Sequence, residues 1–362
     1  MLHVIYGGTP RAMAKEILAA LKPAEGLRKN ALIGLKPNLI LAKPANSGAT
    51  TSPEIVAGII EYFQERGFKN LLILESSWVG DSTKKAFEVC GYEKLSRDYH
   101  VPLQDLKKDS AVIREAGGLA IKVCRQALEV DFLINIPVLK AHCQTRLTCA
   151  LKNLKGVIPD REKRRFHSLG LHKPIAALNK VVKTGLVVVD AIMGDLTYEE
   201  GGNPVEMGRI IASTDPVLVD AYAAGLLGLS PEDVPYITGA AELGVGKLYT
   251  EDTLVVEHRK EDYLPITLTP SPRVKQLARF VTEKSACSPC YGAVIHALSR
   301  LEEENLLNDI SADMHIGRDY RGKELPYLGV GECTASFSDY IPGCPPRARD
   351  IIEHLKKRLE QN

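Results

Sequence analysis

The chain has 362 residues, a length that at about 150 residues per domain points to two domains. Hydrophobic residues make up 45% and charged residues 25%, which excludes a disordered chain, a collagen-like chain and a coiled coil. Forty-six basic residues against 45 acidic give a formal charge of +1, so bulk charge predicts neither a nucleic-acid nor a membrane-surface partner.

Leu2–Tyr6 reads as a strand, followed by Gly7-Gly8-Thr9-Pro10 and a helical run to about Leu21. The start lacks the basic residues and long apolar core of a signal peptide, and no segment approaches a membrane span. The expectation is a cytoplasmic protein, in which eight cysteines serve as metal ligands or core residues before disulfides. Ala31–Leu35 reads as a second strand. Pro53–Arg66 reads as an amphipathic helix with Ile55, Ile59 and Phe63 at four-residue spacing. Asn70–Glu75, Leu119–Cys124, Phe132–Ile136 and Gly185–Asp190 are further apolar strands. Asp215-Pro216 starts a helix that runs to about Leu227. Apolar strands separated by helices predict an α/β fold, a mostly parallel sheet with flanking helices.

A Pro-rich, charged stretch of little periodicity follows. It divides the chain into an α/β domain over 1–256, a linker over 257–273 and a small Cys-rich domain over 274–362. Four cysteines lie in that last part: Cys287 and Cys290 in a CxxC pair, Cys333, and Cys344 before Pro345. A CxxC turn aims two thiolates at one centre, and two more from other turns complete a four-thiolate shell. Proline after the last cysteine, and Gly329, Gly331 and Gly343 nearby, favour a [4Fe–4S] cluster. Zinc is the alternative, although a zinc ribbon repeats its CxxC and here ten residues separate Cys333 from Cys344. Cys90 and Cys124 read as small buried apolar residues.

In open parallel sheets ligands bind beyond the carboxyl ends of strands. There the chain places Lys36 and Asn38, then Glu75, then Lys140 and His142, then Asp190. A helix is expected from near Gln144, with Thr145, Cys149, Lys152 and Asn153 sharing one face. His142 is the first choice of general acid/base, and Lys140 and Lys152 suit an anion. Glu75 or Asp190 could bind a metal or orient the base. From Ile136 to Lys183 there are eleven Lys or Arg against two acidic residues, an excess suited to a small anionic substrate. The run Arg161–Arg165 supplies four of the eleven and reads otherwise as a solvated loop; His167 and His172 could join the site. Phe166 is the sole aromatic of this span, which argues against nucleic acid, since base stacking needs aromatic platforms. Gly7-Gly8-Thr9 matches no nucleotide fingerprint. Glu200–Pro204 reads as a tight loop.

These strings together (KPN at 36–38, TSPE at 51–54, DFLINIPVLKAH at 131–142, ALKNLKG at 150–156, VVDAIMG at 188–194 and STDPVLVDAYAAGLLGL at 213–229) resemble the family called domain of unknown function 362. The resemblance runs from about Leu32 to Lys247 and implies an α/β body loosely similar to that of lactate racemase. It marks Lys36, Asn38, Lys140, His142, Lys152, Asn153 and Asp190, and it adds Asp220. The segments ACSPC, GVGECT and IPGCPP look like the cluster-bearing extension of some members. The paired ferredoxin motifs of other members are absent, so no two-cluster relay is implied. The combined expectation is an iron–sulfur redox enzyme with a small anionic substrate and an electron-transfer partner. The alternative is a non-redox binding, maturation, racemase or lyase protein in which a cluster or zinc is structural.

Overall fold

The computed structural model describes residues 1–142, 144–195, 204–259, 263–266, 268, 273–286, 288–310 and 313–361. It divides into two units, Met1–Pro270 and Ser271–Asn362.

In chain order the first unit runs β1 (Leu2–Tyr6), α1 (Pro10–Leu21), β2 (Ile33–Pro37), α2 (Pro53–Gln64), β3 (Leu71–Glu75), α3 (Thr83–Val89), α4 (Tyr92–Tyr99) and β4 (Leu103–Asp105). There follow β5 (Ala111–Ala116), β6 (Leu119–Cys124), α5 (Arg125–Glu129), β7 (Phe132–Ile136), β8 (Val138–His142), β9 (Arg146–Thr148) and α6 (Ala150–Asn153). The rest is α7 (Asp160–Leu169), α8 (His172–Val181), β10 (Leu186–Asp195), β11 (Pro204–Ser213), α9 (Pro216–Leu226), α10 (Pro235–Glu242) and β12 (Val255–His258).

The main sheet has the order β12-β1-β11-β10-β7-β2-β3-β4, with β8 beside β10 and β9 beside β8. Pairing is parallel from β10 through β7, β2 and β3 to β4, and antiparallel at β11, so the fold is α/β with a mostly parallel sheet. Successive side chains of a strand point to opposite faces, and here both faces are dry. Leu72, Leu74, Val187 and Val189 enter one core, while Leu71, Ile73, Leu186 and Val188 enter the other. That explains strands that read as unbroken apolar runs.

Three expectations change. Leu119–Cys124 is a strand, but it pairs antiparallel with β5 in a separate two-stranded sheet. The Gly185–Asp190 strand continues to Asp195, with a register shift between Ala191 and Met193. Val255–His258, at the start of the expected linker, is a sheet-edge strand parallel to β1.

The second unit runs α11 (Arg273–Ala278), β13 (Val281–Glu283), α12 (Ser288–Glu303), β14 (Met314–Ile316), β15 (Leu328–Val330), β16 (Asp339–Ile341) and α13 (Ala348–Gln361). Its four strands pair in sequence order and all in parallel. On α12, Tyr291, Val294, Ile295, Leu298 and Leu301 are buried, the spacing of a helix with one apolar face. Among the described residues, no helix is long and apolar enough to cross a membrane.

Helix α9 shows how a local signal becomes a tertiary joint. Asp215 caps it, accepting from Val217 N and Leu218 N at 2.9 and 3.0 Å, and its other oxygen accepts Lys247 N at 2.8 Å. A Cβ on Gly246 would overlap that carboxylate. Asp215→Ala is expected to lower unfolding stability by about 1–2 kcal/mol, the usual loss for a cap, read by urea denaturation.

Candidate functional site

Site residues of the first unit gather at the carboxyl ends of β2, β3 and β7, on β8 and on α6. At the centre is a fully buried ion pair, with Lys36 Nζ 2.8 Å from Glu75 Oε2. Lys36 also donates to Pro37 O at 2.7 Å and Asn153 Oδ1 at 3.3 Å. Glu75 accepts Leu39 N at 2.9 Å and Ser76 N at 2.7 Å. Burial pulls the Lys36 ammonium below its ordinary range, and Glu75 opposes that pull. A Cβ on Gly156 would overlap Glu75 Oε1 and lie 2.6 Å from Lys36 Nζ, so only glycine lets the Leu154–Val157 turn close over the pair.

Asn153 ties the turn to the sheet, donating to Asn135 Oδ1 at 2.7 Å and Lys36 O at 3.3 Å. Asn135 in turn donates to Ala150 O at 2.8 Å. On the next strand Lys140 donates to Ala49 O at 2.8 Å and Asn38 Oδ1 at 3.3 Å. Thr51 Oγ1 accepts Asn38 N and donates to Ile136 O. Lys36, Glu75 and Asn153 are therefore in mutual contact through Lys36, and Lys140 contacts Asn38.

The helix expected from Gln144 is not there. β8 turns back through Gln144 and Thr145 into β9, pairing Lys140 with Thr148 and His142 with Arg146. Arg146 takes a left-handed φ of 62°, which breaks a helical path. His142 Nδ1 accepts the backbone N–H of Gln144 and Thr145 at 3.1 and 3.0 Å, so the neutral ring carries its proton on Nε2. Helix α6 begins only at Ala150, and of the four residues expected on one helical face only Lys152 and Asn153 are helical. Lys152 Nζ donates to Thr148 Oγ1 at 3.0 Å. Thr148 is the cross-strand partner of Lys140, so Lys152 reaches the hairpin strand that pairs with Lys140, while His142 lies nearer the turn.

The two aspartates hold backbone. Asp220, buried on α9, accepts Ala150 N at 2.7 Å and Leu151 N at 3.0 Å and so starts α6. Burial raises its carboxyl to about 7 against those two N–H donors. Asp190 accepts Ser52 N at 2.7 Å, just ahead of α2, and Ile192 N at 3.1 Å within the shifted register of β10. It is raised to about 6, again by burial. His167 is half-buried on α7, its Nε2 3.1 Å from Lys155 Nζ.

The basic run at 161–165 is no solvated loop. It lies on α7, where Lys163 is buried and donates to Ser76 O at 2.9 Å, to Ser77 O at 2.7 Å and to Ser76 Oγ. Burial lowers this ammonium to about 8. Arg165 pairs with Glu162 and Arg146 with Asp233. Much of the linear positive excess is thus consumed internally. Asp195, buried and in register with Lys140, is a site residue missed from the sequence. So are Lys163, Gly156 and Asn135. A charge inside an apolar-flanked strand was the signal at Asp195; Lys163 gave none, hidden among exposed neighbours. Cys143 and 196–203, including most of the expected Glu200–Pro204 loop, lie outside the described residues.

In the second unit the parallel pairing puts the cysteine segments at one edge. Cys290 is in the first turn of α12, just after β13; Cys333 lies three residues beyond β15 and Cys344 three beyond β16. Gly331 and Gly343, at φ 91° and 124°, turn the chain as it leaves β15 and β16. A Cβ on Gly331 would lie 3.8 Å from Cys290 Sγ and 3.4 Å from Gly343 O, so these three segments touch. Glu332 N donates to Gly343 O at 3.1 Å, and Gly343 N to Glu332 Oε1 at 2.9 Å. Cys290 and Cys333 are half-buried and Cys344 is exposed. Cys287 lies outside the described residues. Among the described residues, no three His, Cys, Asp or Glu form a ready metal site. The fit to a four-thiolate group therefore rests on the donor chemistry and on the meeting of the Gly331, Gly343 and Cys290 segments.

Asp220 offers a test. Its folded-state value lies above the ordinary 3.8, so the folded chain holds the extra proton between about pH 4 and 7, and stability falls as pH rises through that window. Asp220→Asn should flatten this part of the stability–pH curve. It should also cost about 1–3 kcal/mol, because an amide cannot accept both backbone N–H groups. Denaturation at pH 4, 5.5 and 7 reads both effects.

Comparison with known proteins places this architecture. A cyanobacterial relative, the thylakoid-associated protein sll1697 of Synechocystis sp. (strain ATCC 27184 / PCC 6803 / Kazusa), is 26% identical over 238 residues, 63% of this chain and 72% of the relative. The lactate racemase apoprotein of Thermoanaerobacterium thermosaccharolyticum superposes with a TM-score of 0.42 at 14% identity, over 62% of this chain and 57% of that one, less than two thirds of its length. The family model described as Domain of unknown function (DUF362) matches residues 33–225, more than half of the chain and the whole segment from β2 to α9. The chain belongs to the DUF362 family.

Proposed function

We propose that the protein is an iron–sulfur redox protein: its second unit binds a [4Fe–4S] cluster through Cys287, Cys290, Cys333 and Cys344, and its first unit takes a small anionic substrate. The observation that carries this reading is the parallel sheet β13–β16. Side-by-side parallel strands end at the same edge, so cysteines far apart in sequence leave from neighbouring positions. Four thiolates are the ligand set of a cubane cluster, which supplies one-electron transfer when bound. Gly331 and Gly343 take left-handed φ values that turn their loops, and the reciprocal bonds of Glu332 and Gly343 fix the spacing of the two. A reducing compartment such as the cytoplasm keeps such thiols available.

In the first unit, Lys140 and Lys152 are the candidate anion-binding groups and His142 the candidate acid/base, its ring oriented by Nδ1 accepting Gln144 N and Thr145 N. Lys36, Glu75, Asn38 and Asn153 form the polar floor that sets their positions, and Asp190 and Asp220 hold the backbone beneath. His167 stands with Lys155 on the flank. The electron partner is a one-electron donor protein.

Anaerobic preparation with iron and sulfide analysis tests the cluster. About four iron and four sulfide per chain, with visible absorption that bleaches on dithionite, is the expected result. Cys344→Ser should lower iron per folded chain. A colourless protein with about one zinc would make the second unit a structural staple. For the anion, calorimetric titration with inorganic phosphate should give at least tenfold weaker binding in Lys152→Met, about 1.4 kcal/mol. Equal binding would remove Lys152 from the site.

A further inference from the structure

Three of the four loops at the carboxyl edge of the second sheet carry cysteine. The fourth follows β14, which lies between β13 and β15, and reads Gly317-Arg318-Asp319-Tyr320-Arg321. This loop is bound to its neighbours on both sides. Toward β13, Arg318 Nε donates to Ser285 O at 3.2 Å, Arg318 N reaches the same oxygen at 3.3 Å, and Ser285 Oγ donates to Asp319 Oδ2 at 2.9 Å. A Cβ on Gly317 would overlap Lys284 O, so the two loops close only because that residue is glycine. Toward β15, Arg321 Nε donates to Cys333 Sγ at 3.4 Å.

We infer that Arg321 sets the reduction potential of the second unit's metal centre, acting as a positioning and charge-donating residue on the ligand sulfur of Cys333. This rests on the cluster reading above. An N–H aimed at a ligand sulfur withdraws electron density from it, and a guanidinium keeps its charge at every accessible pH. Both effects favour the state that holds one more electron, and hydrogen bonds to sulfur together with net charge are established levers on cluster potential. The contact is at the surface, so added salt weakens the charge contribution and leaves the directional bond. The electron comes from an external one-electron donor, dithionite in the experiment, and no bond is made or broken in the protein.

The test is a mediated dithionite titration of the anaerobic holoprotein, followed by electron paramagnetic resonance, on wild type, Arg321→Gln and Arg321→Lys. Iron and sulfide are measured on each sample. The expected result is equal iron in all three. The potential of Arg321→Gln should fall by about tenfold in the one-electron equilibrium, about 59 mV, and Arg321→Lys should recover part of it. The gap should narrow at high salt. An unchanged potential with equal iron overturns this role and leaves the cluster reading standing. Loss of iron in a folded Arg321→Gln also overturns it, since the residue would then serve assembly. A wild-type chain with neither iron nor sulfide overturns the cluster reading and the inference together.

Discussion

Removing a lysine and a glutamate from water costs several kcal/mol for each ion, and their mutual attraction offsets this only when every remaining donor and acceptor is satisfied. Lys36 and Glu75 meet that condition by recruiting the surrounding backbone. Their partners are Pro37 O, Leu39 N, Ser76 N and Asn153 Oδ1, which belong to the ends of β2 and β3 and to α6. The pair therefore dictates where three elements meet. It demands glycine at position 156 and a short helix at 150–153, and that helix in turn needs Asp220 beneath its first N–H groups. A polar network of this kind acts as a unit, because any member left unpaired in a low-dielectric interior is costly.

Both units use the same geometric device. Parallel strands bring residues distant in sequence to one edge, and the loops leaving that edge carry the candidate site residues. In the first unit the edge is closed by a hairpin and a turn; Lys36 faces Glu75, and Lys140, Asp190 and Asp220 bond backbone groups. In the second the edge carries three cysteines that are not buried, with an arginine against one of them.

Much of this was legible in the chain. The apolar strands, the Asp215-Pro216 helix start and the Lys36, Asn38, Glu75, Lys140, His142 and Asn153 positions followed from periodicity and from what comes after each strand. The long motifs identified the family. Misreadings had physical causes. The Gln144–Asn153 stretch has helical spacing of polar residues, but local spacing cannot see that Asp220, seventy residues away, fixes the helix start at Ala150. The basic run at 161–165 looked solvated because all five of its side chains are charged, four of them basic, and nothing local shows that the chain leaving β3 presents carbonyls to Lys163. Asp190 read as a strand-end acid, yet both its oxygens are taken by backbone N–H groups.

By itself the sequence determined the α/β class, the family and the residue types at the strand ends, because unbroken apolar runs and strand-to-loop transitions are local properties written in short windows. Only the tertiary structure decided which of those polar residues are partners, which aspartates support backbone, and which loop lies beside Cys333. Those outcomes depend on strand order and on burial. Both are set by contacts between segments tens to hundreds of residues apart, where no short-range pattern carries the information.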